Sequence, residues 1–483
     1  MKIAMLQPPS PPGMNVKRDY AGGMGVADPS ERATFGHDPG YITLPYMSLL
    51  YATGVMDRAG HDVLFLDAQA DNLDIAGVTR RLRDFAPDLT VGVINLPSVY
   101  GDLDVLKAVR EAVPGSRTVA IGAVAQPLFE LLAASGAVDA VVRGDPEVVL
   151  EPLIEALTAG RVNERIERRN GVYTNTDVAH VEDLDALPPI PYHLVPIERY
   201  WYHGFGKHTR YAAVFASRGC SYNCYYCPYP MGFGRRIVHR DVRRVVDEIE
   251  ELYRSRHVRA ILFRDQVFTV DRNKTIALCD EMLRRRLRIQ WVVETRLDRV
   301  DEEVLRKMKE AGCVRIHYGL ESGDPTLFRR VGKDGAEKGM EQLIRNFLLT
   351  EKVGIHAHMF VLIGLLGETR ETIGNTIETI RRIKPLTLQV AIVTPYPGTE
   401  LYETVKRAGF LETDDFSRYT GFQAVSRTES LTADDLVKAR ARIMREHARA
   451  VRFKRWRHLA GLAWTYTRDG SLPSRLARKL RTT

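Results

Sequence analysis

The sequence contains little of what marks secreted and membrane proteins. Its 483 residues include five cysteines, too few for a disulfide framework in a chain of this length. No apolar run approaches the roughly 18 residues that would suggest a membrane span. The opening MKIAMLQPPSPP has one lysine and soon reaches a proline cluster, so it predicts a buried first strand and not a signal peptide. We therefore expect a cytoplasmic protein with more than one domain.

Two nucleotide-binding signatures are also missing. Neither GxGxxG nor GxxxxGKS/T occurs in the chain. The sequence therefore does not predict a glycine-rich loop that cradles a pyrophosphate.

Acidic residues are scarce near the C-terminus. Residues 438–483 hold 14 Lys/Arg against two acids, so this stretch carries a net charge of +12 and the rest of the chain −4. A stretch of this kind can bind nucleic acid, anionic lipid or an acidic partner, or it can be the solvated face of a helix.

Residues 1–160 alternate short apolar runs with helical patterns. Strands are predicted at 2–7, 62–67, 89–95, 117–123 and 139–144, and helices at 45–59, 75–85, 104–113, 127–134 and 147–157. This alternation predicts an α/β domain with a Rossmann-like, doubly wound parallel sheet. Ligands of such sheets bind at the carboxyl ends of the strands, here the loops 7–13, 95–100, 122–126 and 143–147.

A second alternating series follows a proline-bearing connector. The connector is assigned to residues 161–209. Strands are then predicted at 211–217, 260–265, 289–295, 314–322, 355–364 and 388–398. Six strand–helix units predict a partial (β/α)6 barrel over 210–408, with its active site at the carboxyl ends of the strands. Residues 409–483 are predicted to be a helical, basic C-terminal region.

Three of the five cysteines lie together in RGCSYNCYYCPYP, directly after the first predicted barrel strand. Cys220, Cys224 and Cys227 have the spacing C-x3-C-x2-C, whereas Cys279 and Cys313 fit buried apolar positions in other elements. Thiolates favour zinc or iron–sulfur centres over hard cations. A structural zinc site closes with four ligands. Three thiolates from one loop better suit an iron–sulfur cubane with one iron left open.

This cysteine motif after the first strand of a partial barrel resembles the radical S-adenosylmethionine (SAM) superfamily. The resemblance implies a [4Fe–4S] cluster on Cys220, Cys224 and Cys227, with the methionine part of SAM chelating the fourth iron. It further implies that one electron, from an external donor such as a flavodoxin or ferredoxin, cleaves SAM to a 5′-deoxyadenosyl radical. That radical abstracts a hydrogen atom from a small-molecule substrate.

Other residues match positions that the superfamily uses around SAM. Tyr226 stands beside the expected adenine, and FRDQVFT ends the second barrel strand where relatives hold the SAM amino group, although it departs from their commoner GGE. The cofactor-binding candidates implied by the resemblance are Tyr226, Arg264, Asp265, Glu294, Arg296, Glu321, Ser322, Gly364 and Gly367. Tyr225 and Tyr229 are candidate catalytic residues, because a tyrosine near the substrate could donate or accept a proton.

The order of a Rossmann-like domain, a connector and this barrel resembles the cobalamin-binding class of the superfamily. RGDPE, residues 143–147, stands where that class often has a GEGE-like turn. The class implies bound cobalamin and methylation of unactivated carbon. D-x-H-x-x-G, which supplies a lower axial histidine in classical cobalamin domains, is absent, and His37 and His61 are isolated. We expect a cobalamin-dependent C-methyltransferase of specialised metabolism, for example antibiotic biosynthesis.

Two other functions stay open. One is a cobalamin-independent dehydratase or deoxygenase of an aminoglycoside-type sugar diol, which resembles this layout. The other is an RNA-modifying iron–sulfur protein that uses the basic C-terminal region, although no added RNA-binding domain is apparent and no stable nucleic-acid partner is expected. The C-terminal helix is expected to cap the barrel, with a substrate-pocket role or a membrane-surface role through Trp456, Leu459, Leu462 and Trp464 as alternatives.

Overall fold

Two parallel sheets, each covered by helices, follow one another along the chain. The computed structural model describes residues 1–27, 43–202, 204–205, 209–332 and 339–468, with side chains described as far as residue 456. His37 and the 28–42 part of the long first loop lie outside the described residues, as do the side chains of Leu459, Leu462 and Trp464.

The first sheet has seven strands in the order β2-β1-β3-β4-β5-β7-β6. These are β1 (Lys2–Gln7), β2 (Asp62–Asp67), β3 (Leu89–Val93), β4 (Arg117–Ile121), β5 (Ala140–Val141), β6 (Ile166–Arg169) and β7 (Val172–Asn175). All neighbours are parallel except β6 and β7. The helices of this half are α1 (Met47–Arg58), α2 (Ile75–Phe85), α3 (Val99–Ala112), α4 (Phe129–Ala134) and α5 (Pro146–Ala159). The predicted doubly wound sheet is confirmed.

The hairpin of β6 and β7 was not predicted, because residues 161–209 were assigned to a connector. Asn170 and Gly171 form its two-residue turn with φ of 50° and 85°. Asn-Gly is the preferred pair for a turn that needs positive φ at both positions. The signal was therefore present in RRNGVYTN. The connector was assigned from the prolines at 188, 189 and 191, which favour an extended chain.

The second sheet has six parallel strands in sequential order, as a partial barrel requires. They are β8 (Tyr211–Val214), β9 (Ala260–Phe263), β10 (Gln290–Thr295), β11 (Cys313–Glu321), β12 (His356–Ile363) and β13 (Thr387–Ile392). β13 ends before the predicted residue 398, because Pro395 and Pro397 in TPYPG cannot continue a ladder.

Helices cover the outside of this partial barrel. They are α6 (Tyr229–Phe233), α7 (Val242–Ser255), α8 (Arg272–Arg284), α9 (Glu302–Glu310), α10 (Pro325–Arg330), α11 (Gly339–Val353), α12 (Arg370–Ile383) and α13 (Glu400–Arg407). An aspartate precedes three successive helices and accepts a hydrogen bond from their first backbone N–H groups: Asp241, Asp271 and Asp301. These N-caps fix where each helix begins and therefore how each strand end meets the next helix.

The chain ends in a long helix, α14 (Ala433–Arg468). Leu436, Ala439 and Ile443 of this helix are buried. Arg440 Nε donates a hydrogen bond to the Val390 carbonyl oxygen on β13 at 2.9 Å. The helix thus covers β13, in agreement with the expected capping role. Among the helices of the described residues, none is long and apolar enough to cross a membrane.

Candidate active site

The cysteine loop leaves the carboxyl end of β8 and turns back on itself. Ser217–Arg218 pairs antiparallel with Val238–His239. Cys220 N–H donates to the Gly234 oxygen at 3.1 Å, and Cys227 N–H donates to the Cys224 oxygen at 3.0 Å. Gly219 has φ of +94°, and a Cβ there would lie 1.9 Å from the Arg236 oxygen, so only glycine fits. The loop is thereby held in a closed conformation at the mouth of the barrel.

The three cysteines of the loop fit a cluster better than a single metal ion. None of them forms a disulfide bond in the described part of the chain. In the described part of the chain no three His, Cys, Asp or Glu side chains converge closely enough for one ion. A cubane takes one thiolate at each of its separate corners, so convergence on one point is not required. Burial, together with the neighbouring Cys224, raises the pKa of Cys227 well above its usual range. A thiolate at this position would need a neighbouring positive charge, which a metal centre supplies.

Tyr226 joins the cysteine loop to the end of β11. Its buried phenol hydrogen-bonds the Glu321 carboxylate, and burial followed by that carboxylate raises the Tyr226 pKa. Glu321 has φ of +62° although it is not a glycine. The pairing of β11 with β12 shifts register between Gly319 and Glu321. Backbone strain of this kind is typical of functional positions, so Tyr226 and Glu321 remain candidates for contacts with SAM.

The two candidate catalytic tyrosines have different environments. Tyr225 accepts a hydrogen bond from Leu366 N–H at 3.1 Å, and so it positions the loop that carries Gly364 and Gly367. Tyr229 is 3% exposed, and its hydroxyl has no hydrogen-bond partner in the described residues. The structure therefore gives Tyr225 a positioning contact, while the role of Tyr229 stays a prediction.

Arg264 and Asp265, which follow the second barrel strand β9, are both bonded to other side chains or backbone groups of this chain. Arg264 Nε donates to Asp19 Oδ2 at 2.8 Å, and its Nη1 lies 3.6 Å from Glu294 Oε1. Asp265 accepts hydrogen bonds from Ala216 N–H at 2.9 Å and Ser217 Oγ at 2.6 Å. A guanidinium has only donors, so Arg264 has no atom that could accept the SAM ammonium group. These side chains tie the domains and the strand ends together.

Arg296 is the candidate whose contacts leave a donor available. Its Nε and Nη2 each donate to Asp298 at 2.9 Å, and its guanidinium lies 4.0 Å from the Tyr222 ring centroid. Nη1 is buried without a hydrogen-bond partner among the described residues. Burial lowers the Arg296 pKa, but Asp298, followed by Tyr222 and Cys224, raises it above its usual value. The contribution of Cys224 places the guanidinium near the cysteine loop. A buried donor beside the cluster ligands suits the SAM carboxylate.

The loop after β12 also approaches the cysteine loop. Gly364 and Gly367 have φ of +86° and +82°. Glu368 Oε2 accepts a hydrogen bond from Gly364 N–H at 3.1 Å and closes this loop. Glu368 was not predicted as a site residue. Burial raises its pKa to about 7. Ser322, which was predicted, accepts from Asp324 N–H at 3.1 Å and lies at the start of α10.

Residues of the first domain complete the mouth of the barrel. A Cβ at Gly22 would lie 2.4 Å from Tyr229 Cα, so the turn at Ala21–Gly23 is in backbone contact with α6. Arg218, two residues before Cys220, reaches across to RGDPE: its Nη2 lies 2.8 Å from Glu147 Oε1, and its Nη1 lies 3.4 Å from Asp145 Oδ2. Both partners are buried. Sequence reasoning missed Asp19 and Arg218, because no local pattern marks residues whose partners are distant.

Classical cobalamin domains supply a histidine as the lower ligand of the corrinoid, so the positions of the histidines in the first domain are relevant. His61 immediately precedes β2 and therefore lies at the amino end of the sheet, opposite to the end where ligands bind. The loops at the carboxyl ends, 7–13, 95–100, 122–126 and 143–147, contain no histidine. The first domain meets the cysteine loop at two points: Gly22 contacts Tyr229, and Asp145 and Glu147 pair with Arg218. Within the described residues, these carboxyl-end loops therefore supply no histidine as the lower ligand of a corrinoid held between the domains.

Comparison with known proteins agrees with this geometry. Residues 214–380 match the family model of the Radical SAM superfamily. An uncharacterised methyltransferase of Pyrococcus horikoshii is 28% identical over 403 residues, which cover 82% of this chain and 86% of the relative. The anaerobic magnesium-protoporphyrin IX monomethyl ester cyclase of Cereibacter sphaeroides is 28% identical over 401 residues, covering 80% of this chain and 64% of the relative.

A solved structure extends the likeness in fold to nearly the whole chain. The cobalamin-dependent SAM radical enzyme OxsB, with aqua-cobalamin and SAM bound, superimposes with a TM-score of 0.68 at 15% identity, covering 93% of this chain and 69% of its own. Residues 214–380, which include the cysteine loop and most of the barrel, therefore form a radical SAM domain. The chain as a whole shares the fold of that cobalamin-dependent enzyme, with an α/β domain ahead of the barrel.

Proposed function

We propose that the protein is a cobalamin-dependent radical SAM C-methyltransferase, which replaces a C–H bond of a small-molecule substrate by C–CH3. The observation that carries this proposal is the placement of Cys220, Cys224 and Cys227 in one loop at the barrel mouth, against the carboxyl-end loops of the first sheet. The methyltransferase named among the relatives supports methylation as the outcome. The fold shared with a cobalamin-dependent enzyme supports the corrinoid.

Each group of the site has a role in this proposal. Cys220, Cys224 and Cys227 hold the [4Fe–4S] cluster. Arg296 binds the SAM carboxylate through Nη1, Glu321 and Tyr226 lie beside the nucleoside, and the Gly364–Gly367 backbone lies against the adenine. The cluster with SAM supplies the 5′-deoxyadenosyl radical, and the corrinoid supplies the methyl group. The buried Arg218 and Arg264 ion pairs keep the two cofactor-binding domains in a constant relative position.

The cellular setting belongs to the same proposal. Reduction of the cluster requires a one-electron donor, for which a flavodoxin or ferredoxin is suitable. The oxygen-sensitive cluster and cysteines without disulfide bonds in the described residues fit the reducing cytoplasm. A role in specialised metabolism, with an antibiotic precursor as substrate, is the setting that we favour.

The test is anaerobic reconstitution of the purified protein with iron, sulfide and hydroxocobalamin. Treated with a strong reductant and SAM carrying a deuterated methyl group, the protein is expected to retain corrinoid through gel filtration, to form 5′-deoxyadenosine and to give a methylcobalamin that carries the label. Cys224→Ala should abolish the cluster and all SAM cleavage. The matched variant Cys279→Ala, at a buried cysteine within α8, should leave both unchanged.

The outcomes separate the parts of the proposal. An intact cluster that forms 5′-deoxyadenosine without any retained corrinoid would contradict the methyltransferase and favour the diol dehydratase. If Cys224→Ala assembled a [4Fe–4S] cluster and cleaved SAM, the ligand assignment would be wrong.

A further inference from the structure

The C-terminal helix α14 has one side that packs against the barrel. Its buried residues recur every three or four positions, as the helical period requires for a single face: Leu436, Ala439, Ile443, His447 and Val451. His447 Nε2 lies 2.7 Å from the Pro385 oxygen. Lys454 Nζ lies 2.7 Å from Glu351 Oε2 on α11. This side of the helix is therefore accounted for by the fold.

The opposite side of α14 is cationic. At 100° per residue, five exposed basic residues fall on the side away from the buried face: Lys438, Arg442, Arg445, Arg449 and Arg452. The chain from residue 447 to 468 has six Lys/Arg and no Asp or Glu. Arg452 and Arg455 have no acidic partner in the described part of the chain. Lys438 and Arg449 pair with Asp434 and Glu446 of the same helix, so the uncompensated positive charge lies toward the C-terminal end, at Arg452 and Arg455.

Two aromatic rings lie at the far end of this cationic side. Phe453 is 70% exposed and Trp456 is 63% exposed, the two largest values among the exposed large hydrophobic side chains of the described residues. Their rings stack with centroids 6.4 Å apart and an interplanar angle of 23°. Burial of these rings would be favourable, yet nothing in the described fold covers them.

We propose that α14 is a membrane-docking helix that binds an anionic lipid surface. Phe453 and Trp456 enter the headgroup region, and Arg452 and Arg455 contact lipid phosphates. Aromatic residues prefer the membrane–water interface, and each cation near an anionic surface strengthens binding. The docking surface is separate from the barrel mouth, so it does not depend on the proposed methyltransferase activity.

Lipid fits this surface better than nucleic acid. Bases bind by stacking on free ring faces, and the inner faces of Phe453 and Trp456 are already stacked on each other. The same helix continues after Trp456 as RHLAGLAWTY, in which apolar and aromatic residues dominate. A helix with cations on one side and Trp, Phe and Leu beside them is typical of interfacial membrane binding.

The test is co-flotation of the full-length, cluster-loaded protein with lipid vesicles. Vesicles of phosphatidylcholine with about one third phosphatidylglycerol should carry the protein, whereas pure phosphatidylcholine vesicles should carry at least about tenfold less. Binding should weaken at high salt, because exposed charges are screened. Trp456 fluorescence should shift to the blue on binding, and the shift should be lost in Trp456→Phe.

Variants distinguish the two parts of the surface. The double variants Phe453→Ser/Trp456→Ser and Arg452→Glu/Arg455→Glu should each reduce vesicle binding at least about tenfold. The matched controls are Val162→Ser, at another exposed apolar residue, and Arg80→Glu/Arg83→Glu, at exposed arginines of α2. Both controls should bind vesicles as the parent does. Cleavage of SAM without vesicles and the far-ultraviolet circular dichroism should be unchanged in all variants.

Several results would overturn the proposal. These are an absence of flotation with anionic vesicles, equal flotation with neutral vesicles, and parental binding by either double variant. Retention of polyuridine RNA through the same residues, without vesicle binding, would assign the surface to nucleic acid instead.

Discussion

Arg296 has a guanidinium nitrogen, Nη1, that is buried and has no hydrogen-bond partner in the described residues. An unsatisfied buried donor costs about 1–3 kcal/mol. A protein retains such a group where a ligand satisfies it, and the SAM carboxylate offers the complementary charge. The ion pair with Asp298 and the contact with the Tyr222 ring fix the position of the guanidinium.

We expect Arg296→Gln to weaken SAM binding. A lost charge-assisted hydrogen bond is worth about 1.5–3 kcal/mol, which corresponds to about 10–100-fold in affinity. Equilibrium dialysis of labelled SAM with cluster-loaded protein measures this directly. Arg299→Gln is the control, because Arg299 is exposed nearby and stacks on the same Tyr222 ring. Equal affinity in both variants would remove Arg296 from the SAM site.

Glu368 should make stability depend on pH. Burial raises its pKa from 4.5 to about 7, so folding favours the protonated carboxyl. Its stabilising effect is complete below the unfolded value and is lost as the pH rises through the folded value. The difference is on the order of 3 kcal/mol.

Glu368→Gln, which keeps the acceptor for Gly364 N–H, should remove this dependence. The parent Tm should fall from about pH 5 to about pH 8 more than the Tm of the variant does. Differential scanning calorimetry under anaerobic conditions gives both values. Parallel pH profiles would show that the Glu368 carboxyl does not titrate in this range.

The turn at Ala21–Gly23 and helix α6 are the elements that bring the two domains together. Gly22 has φ of +63° and lies where a Cβ would be 2.4 Å from Tyr229 Cα. Contact between two backbones leaves no side chain that could move aside. The turn therefore sets how closely the first domain approaches the cysteine loop.

Gly22→Ala should destabilise the protein more than a change at a glycine with the same conformation in open space. Gly60→Ala is that control, because Gly60 has φ of +80° and nothing lies within 4 Å of its added Cβ. The left-handed conformation costs about 1–3 kcal/mol in either variant. The additional clash in Gly22→Ala should lower Tm further and reduce cluster occupancy. Equal losses in the two variants would mean that the turn can move away from α6.

At the scale of the whole molecule, buried ion pairs of Arg218 with Asp145 and Glu147 join the two domains. Arg218 and the carboxylates of Asp145 and Glu147 have side chains that are at most 1% exposed. Tyr51, Phe215 and Phe233 surround the guanidinium with centroids 5.3, 5.0 and 5.7 Å away. Charges this deeply buried depend on each other, so the loss of one partner leaves the others unpaired.

Arg218→Met should loosen the domain junction, because two carboxylates would lose their counter-ion. Removing one partner of a buried pair costs about 3–5 kcal/mol. Amide hydrogen exchange should rise at residues 143–147 and 218–234 together. The triple variant that also carries Asp145→Asn and Glu147→Gln should recover part of the stability. A triple variant less stable than Arg218→Met would show that the carboxylates are stabilised without Arg218.

Much of the fold followed from short patterns. The strand–helix alternation predicted both sheets, since the hydrophobic period is set by neighbouring residues. The Asn-Gly pair at 170–171 is a sequence signal for the β6–β7 hairpin, although this segment was predicted to be a connector. By contrast, Arg264 was assigned to SAM from its place at a strand end, whereas its partner Asp19 is 245 residues away. Glu368 was missed because only the folded loop brings its carboxylate to Gly364 N–H.

The spacing of Cys220, Cys224 and Cys227 was sufficient to predict the cluster and the superfamily, because all three ligands come from one short loop. The order of the two α/β series along the chain likewise predicted the class. Only the tertiary structure decided that Arg296 keeps a buried donor without a partner among the described residues, which ion pairs join the domains and where Phe453 and Trp456 are left exposed. Those properties depend on residues distant in sequence, and burial and charge pairing arise only once the chain has folded.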